Sequence, residues 1–116
     1  MTDPAFQAVI SAFFVAMNAQ DADAAAALTR EDVTIALGPH ELRGRDALRE
    51  LALQTDDQLS FELVPHRFEV ESAGCVGVSA RRIGRWRSNG EIAAEEDVHA
   101  RFTLDSDGTI ARVELA

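Results

Sequence analysis

Residues 71–91 read ESAGCVGVSARRIGRWRSNGE, and two glycine-closed turns in this stretch decide how the second half of the chain folds. Ser72-Ala73-Gly74 and Ser88-Asn89-Gly90 each suit a three-residue hairpin loop. Such a loop is a type I turn followed by a glycine in the left-handed region, where a side chain would be costly. The turns make 75–87 a strand flanked by antiparallel neighbours, 59–71 before it and 91–104 after it, with 109–116 as a further strand beyond the turn at Asp107-Gly108. Counting outward pairs Val70 with Val76, Phe68 with Val78 and His66 with Ala80 across the first turn. The second turn pairs Val76 with Phe102, Val78 with Ala100, Ala80 with Val98, Arg82 with Glu96 and Trp86 with Ile92. Apolar side chains meet on the even-numbered face. A slip of one residue would set Val78 against Arg101 and push Phe102 outward, so the pattern dictates the register.

The odd-numbered face carries Glu69, Glu71, Arg81, Arg85, Arg87, Glu95, Asp97, His99 and Arg101 and is the wetter one. Three polar residues intrude on the inner face: His66, Arg82 and Glu96. A buried charge is expensive unless paired, and Arg82 and Glu96 are expected as direct cross-strand neighbours. Two readings follow. The pair is either an internal ion pair that locks the strand register or the polar floor of a pocket. Burial would raise the pKa of Glu96 toward the range of a general base, while Arg82 opposes that. His66 reads as a proton shuttle, a ligand donor or a satisfied interior histidine. Phe61 and Leu63 are odd-numbered, so a bulge near Pro65 is expected to switch the inward parity of the first strand.

Upstream, Asp3-Pro4 reads as the start of a helix that runs to about Ala19, with Asp3 as its cap. Phe6, Val9, Ile10, Phe13, Phe14 and Met17 form one apolar stripe along it. Asp21-Ala22-Asp23 caps a short alanine-rich helix, residues 33–37 form a strand ended by Gly38-Pro39, and 40–43 form a second strand. A third helix covers 46–55. Helix, helix, strand pair, helix and four-strand meander define an α+β class: one domain over 1–116, with a strongly curved antiparallel sheet on a long N-terminal helix and a small apolar pocket between them. Phe13, Phe14 and Met17 are then core residues that also reach the pocket, and Trp86 is core or pocket wall.

Composition narrows the partners. Hydrophobic residues make up 47% of the 116 positions, enough for a core without staples. Eleven basic against twenty acidic residues give a net charge of −9, which disfavours nucleic acid and anionic membranes. The single cysteine, Cys75, reads as a small buried apolar residue in preference to a catalytic thiol, and no cluster has metal-ligand spacing. The N-terminus has neither a basic leader nor a continuous apolar run, which points to a cytoplasmic protein.

The chain resembles the nuclear transport factor 2-like superfamily in its SnoaL-like, polyketide cyclase-like branch. The resemblance is carried by Phe13-Phe14 with Asn18-Ala19-Gln20-Asp21-Ala22-Asp23-Ala24, by Asp32-Val33-Thr34-Ile35, by Leu42-Arg43-Gly44-Arg45-Asp46-Ala47-Leu48, and by Asp107-Gly108-Thr109-Ile110-Ala111-Arg112-Val113. It implies a cone-shaped α+β fold, a pocket between the first helix and the sheet, and a homodimer through the sheet's outer face, where Ile83 and Ile110 are expected. Members include isomerases, dehydratases, cyclases, epoxide hydrolases and non-catalytic binders, so fold alone does not fix function. The catalytic sets of several branches are incomplete here. There is no tyrosine, Leu37 and Ala100 stand nearest the two acids of the ketosteroid isomerase-like pattern, and Arg82 lacks a second carboxylate beside Glu96.

The sequence therefore points to a small-molecule pocket protein that needs no metal or organic cofactor, with a small apolar or weakly acidic partner. If catalytic, it would transfer protons with Glu96 as base, Arg82 as anion stabiliser and His66 nearby, while Trp86, Phe13, Phe14 and Met17 hold the ligand. The alternative is a non-catalytic ligand-binding or dimerisation module in which Arg82–Glu96 is structural.

Overall fold

The computed structural model describes residues 4–115. Three helices, α1 (Pro4–Asn18), α2 (Ala22–Ala27) and α3 (Arg45–Ala52), accompany six strands. The strands are β1 (Thr29–Leu37), β2 (His40–Arg43), β3 (Leu59–Ser72), β4 (Cys75–Trp86), β5 (Ile92–Leu104) and β6 (Ile110–Leu115). The expected cap at Asp3 lies outside the described residues. Asp21 does cap α2, its carboxylate accepting from the Ala24 N–H at 3.1 Å.

The strands form one sheet in the order β2-β1-β6-β5-β4-β3. It is mixed, and here the expectation of an antiparallel sheet needs correction: β1 runs parallel to β6, while the other neighbouring strands are antiparallel. Register shifts interrupt β3, β5 and the β5–β6 pairing, and each bulge adds local twist that curls the sheet around α1.

The expected register holds through the middle of the meander. Val70 faces Val76, Phe68 faces Val78, Val76 faces Phe102, Val78 faces Ala100, Ala80 faces Val98 and Arg82 faces Glu96. Gly74 and Gly90 close the turns with φ of 75° and 74°. Two expected pairs fail, each at a bulge. Pro65, not His66, stands opposite Ala80, and Ile92 stands opposite Arg85 instead of Trp86.

The core is built where α1 lies on the sheet. Ile10, Phe13 and Phe14 meet Val76, Val78, Ala100 and Phe102, with Leu48 of α3 closing one side. Phe13, Phe14 and Phe102 pack edge-to-face with centroids 5.6–6.4 Å apart, a geometry that adds to simple burial. Ile110, expected on the outer face, belongs to this core and is fully buried. Its backbone N–H also donates to the Leu28 carbonyl at 3.0 Å, which brings β6 in under α2.

Helix α1 is too short to cover the whole meander. Its 15 residues span about 22 Å, whereas the 12 residues of β4 extend roughly 40 Å. The sheet therefore has a covered half and an uncovered half, and the molecule is elongated, 44 × 30 × 26 Å.

Candidate functional site

The site lies where the helical cover ends. Helix α1 stops in a six-residue C-terminal motif: the Gln20 N–H donates to the Met17 carbonyl at 3.1 Å and the Asp21 N–H to the Ala16 carbonyl at 2.9 Å. Gln20 takes the left-handed conformation, φ 55°, that such a stop requires and that glycine usually supplies. The stop aims two amide side chains sideways. Asn18 accepts from the Leu63 N–H and donates to the Leu63 carbonyl, both at 2.8 Å, and so satisfies the outer edge of β3. Gln20 donates to the Gln54 carbonyl beyond α3 at 3.0 Å.

These ties frame a cavity of about 220 Å³ between the end of α1, the end of α3 and the uncovered half of β3 and β4. Its apolar wall is Met17, Leu51, Leu59, Phe61 and Leu63. Two guanidiniums, Arg82 and Arg87, face it, and Asp56 completes the rim. The Asp56 carboxylate accepts from the N–H groups of Gln58 and Leu59 at 2.8 and 3.0 Å, which holds it below the usual carboxylate range and fixes the rim loop. Arg87 Nε donates to the Asp56 carbonyl at 2.9 Å.

Arg82 and Glu96 do meet across the strands, at 2.7 Å. They are not buried: 43% and 56% of their side-chain surfaces remain exposed, because the pair sits beyond the reach of α1. The burial expected of Glu96 is therefore absent, and Glu96 does not line the cavity, whereas Arg82 does. Arg82 also stacks on the Phe61 ring, 4.2 Å from its centroid. Phe61 lies across β4 at Gly84, where an added Cβ would approach the ring to 3.1 Å. Thus Gly84, Phe61, Arg82 and Glu96 make one layered unit.

His66 does not join it. The bulge puts Val64 opposite Arg81 and Glu62 opposite Ile83, so His66 turns to the outer face and borders an open groove with Val64, Arg81, Ile83 and Asp97. Its inward placement is thereby corrected, and the cause is the parity change at Pro65. Trp86 also misses the cavity. It is 41% exposed and stands beside Asp57, Gln58 and Ser88 at the strand tip. Phe13 and Phe14 face a second, more enclosed chamber of only about 30 Å³ beneath α1, and of the four expected ligand contacts only Met17 reaches the larger cavity. The sequence reading missed Phe61, Asn18 and Arg87 as cavity residues. The signal for Phe61 was its odd number on a strand whose parity must change.

Cys75 is half-buried, its Sγ 3.7 Å from Glu71 Oε2. Burial first, then the Glu71 carboxylate, push its thiol upward in pKa, as befits an inert side chain.

A curved α+β cone, its sheet half covered by one long helix and a cavity at the helix end, defines the class: the nuclear transport factor 2-like fold. The signature of the SnoaL-like domain matches residues 10–113, and the chain belongs to that family. Among solved structures it resembles a candidate polyketide cyclase from Xanthomonas campestris pv. campestris, at 25% identity and TM-score 0.76, over 97% of this chain and 89% of that one. It shares its fold with TerC co-crystallised with polyporic acid, at 19% identity and TM-score 0.79, over 97% and 90% of the two chains. It shares it too with RV0760c from Mycobacterium tuberculosis in complex with estradiol-17β-hemisuccinate, at 12% identity and TM-score 0.76, over 96% and 92%. No curated protein matches the chain. Among the described residues, no helix is long and apolar enough to cross a membrane.

Proposed function

We propose that this protein binds a small, largely apolar molecule with one acidic group in the cavity at the end of α1. The observation that carries the reading is one cavity of about 220 Å³ walled by Met17, Leu59, Phe61 and Leu63 and faced by Arg82 and Arg87. An enclosed cavity of about 150 Å³ already accepts benzene, so this partly open space, with Asn18, Gln54 and Ser60 also on its lining, has room for a single substituted ring. The ring lies against Phe61 and its carboxylate or enolate pairs with Arg82. Polyporic acid in TerC and the hemisuccinate in the Mycobacterium tuberculosis relative support a small-molecule role for the fold.

In the catalytic form of this reading, a ligand anion that engages Arg82 frees Glu96, which stands outside the cavity and must swing to its mouth to accept a proton from the carbon beside that anion and hand it back to the ligand. This is proton-transfer chemistry of the isomerase, cyclase or dehydratase type, without a cofactor. A second reading has one observation in its favour: Glu96 stands outside the cavity and is already satisfied by Arg82. On that reading the protein binds without turning its ligand over, and the pair fixes the strand register. Calorimetric titration with benzoate and with enolisable aromatic ketones tests both. Benzoate binding lost in Arg82→Gln supports the site, and exchange of the ketone's α-proton into deuterated water, lost in Glu96→Gln, supports catalysis. Absence of any binding by the wild-type protein overturns the proposal.

We further infer a homodimer through the outer face, supported by the partly apolar groove at Val64 and Ile83. Light scattering at micromolar concentration should give twice the 12.6 kDa of one chain. The net charge of −9 supports a protein without nucleic acid or anionic membrane partners.

A further inference from the structure

The outer cavity and the smaller, more enclosed inner chamber share lining residues. Met17 of α1, Leu51 of α3 and Leu63 of β3 border both spaces, and no other described residue does. The three are partly buried and pack against the core from its edge. The inner chamber, about 30 Å³, is lined entirely by apolar side chains, Ile35, Leu48, Phe102 and Val113 among them. A space of that lining stays dry, and by itself it is too small for any organic ligand.

We propose, building on the binding function above, that Met17, Leu51 and Leu63 form a movable septum, and that the natural ligand is an amphiphilic acid with a tail that passes through it. The acidic head stays at Arg82 and the tail enters the inner chamber. Met17 is the moving part. It is unbranched, with three rotatable bonds, so it can vacate the wall by changing rotamer, which the branched Leu51 and Leu63 do less readily. The backbones around the septum are tied by hydrogen bonds. Asn18, next to Met17, holds both main-chain groups of Leu63 at 2.8 Å. Gln20 holds the Gln54 carbonyl, and the Gln54 N–H in turn donates to the Leu51 carbonyl at 3.2 Å. Asn18 and Gln20 are thus positioning residues that let the side chains move while the frame does not. The septum sets how long an apolar tail the site accepts.

The test is a methyl-NMR titration of the full chain with two probes: neutral propylbenzene, and a series from benzoate to 4-butylbenzoate. Propylbenzene should shift the methyls of Ile35 and Val113, and Met17→Ala should bind it several-fold more tightly. In the benzoate series, affinity should rise about fourfold for each methylene that passes the septum. Asn18→Ala should flatten that length dependence, which a merely stabilising residue would not do. Should Met17→Ala fold poorly, the wild-type titration and the volume-conserving Met17→Leu decide the matter. Inner methyls that stay unmoved by both probes, with benzoate still bound at Arg82, overturn the septum and leave the binding function intact. Inner methyls that move with propylbenzene while no benzoate binds support the septum and overturn the acidic-ligand reading.

Discussion

Strand β4 passes through two environments on one face. Val76, Val78 and Ala80 lie beneath α1 and are sealed from water, whereas Arg82 and Trp86 continue the same alternation past the helix and are about half exposed. β5 repeats the contrast, with Phe102 and Ala100 buried and Glu96 in solvent. Strand alternation decides which face a side chain takes; the length of the covering helix decides whether that face is a core or a site. The covered half holds the fold together, and the uncovered half is free to carry polar groups because water still reaches them.

The sharpest way to break this comparison is to truncate one aromatic in each half. Phe102→Ala removes a fully buried ring in contact with Phe13 and Phe14, and should lower unfolding free energy by about 3–5 kcal/mol in urea titration. Phe61→Ala, at 41% exposure, should cost less than about 1.5 kcal/mol while weakening ligand binding. Equal losses would show that the two halves are one core.

Next in size is the seam between the halves. Asn18→Ala leaves the Leu63 N–H and carbonyl to water, and the loss of two hydrogen bonds should cost about 1–2 kcal/mol. Amide exchange at Leu63 should accelerate while that at Val78 stays slow. Exchange unchanged at Leu63 would mean that the α1 end is not what closes the β3 edge.

How much of this was legible beforehand differs between the halves in the same way. The register from Val76–Phe102 to Arg82–Glu96 followed from alternation, because a slip would have buried Arg101. The bulge near Pro65 was legible from the odd-numbered Phe61 and Leu63, but its place was not. One position decided whether His66 faced in or out, and alternation on a bulged strand leaves that position free. The openness around Arg82 and Glu96 was not legible either, since periodicity names a face and says nothing of what lies over it. Ile110 was misplaced for a related reason: the alternation of β6 was read without the parallel β1 and the α2 end that cover it.

The outer face of the covered half gives a smaller, pH-dependent effect. Glu71 on β3 reaches over β4 to Arg101 on β5, at 2.6 Å, and Arg101 also approaches Glu114 at 3.5 Å. The crossing is possible because position 77 is glycine; a Cβ there would come within 2.9 Å of the Glu71 carboxylate. The Arg101 hydrogen bond holds the Glu71 carboxyl below its ordinary range, and Arg112 does the same for Glu114. A carboxyl depressed in the folded state stabilises above its unfolded pKa and loses that contribution as pH falls through the folded value. Stability should therefore decline on acidification below about pH 4.5, the ordinary glutamate range, and salt should shrink the decline. Gly77→Ala should displace the Glu71 carboxylate, raise its pKa in carboxyl-carbon NMR and flatten this acid limb, at a stability cost of about 1 kcal/mol or less. An unchanged Glu71 titration would show that the glycine serves another purpose.

The smallest expected effect on stability is the most informative for the uncovered half. Arg82–Glu96 is short, at 2.7 Å, yet both partners are about half exposed, and pairs of that kind contribute about 0–1 kcal/mol. A double-mutant cycle of Arg82→Gln and Glu96→Gln should return a coupling below about 1 kcal/mol in urea unfolding. The same variants should differ strongly in binding. Arg82→Gln should lose benzoate affinity, since a charge-assisted pair in a partly dry cavity is replaced by a neutral amide. Glu96→Gln should retain or improve it, since it removes the carboxylate that competes for Arg82. A coupling of several kcal/mol with no change in binding would assign the pair to strand registration, and the uncovered half would then differ from the covered half only in exposure and not in purpose.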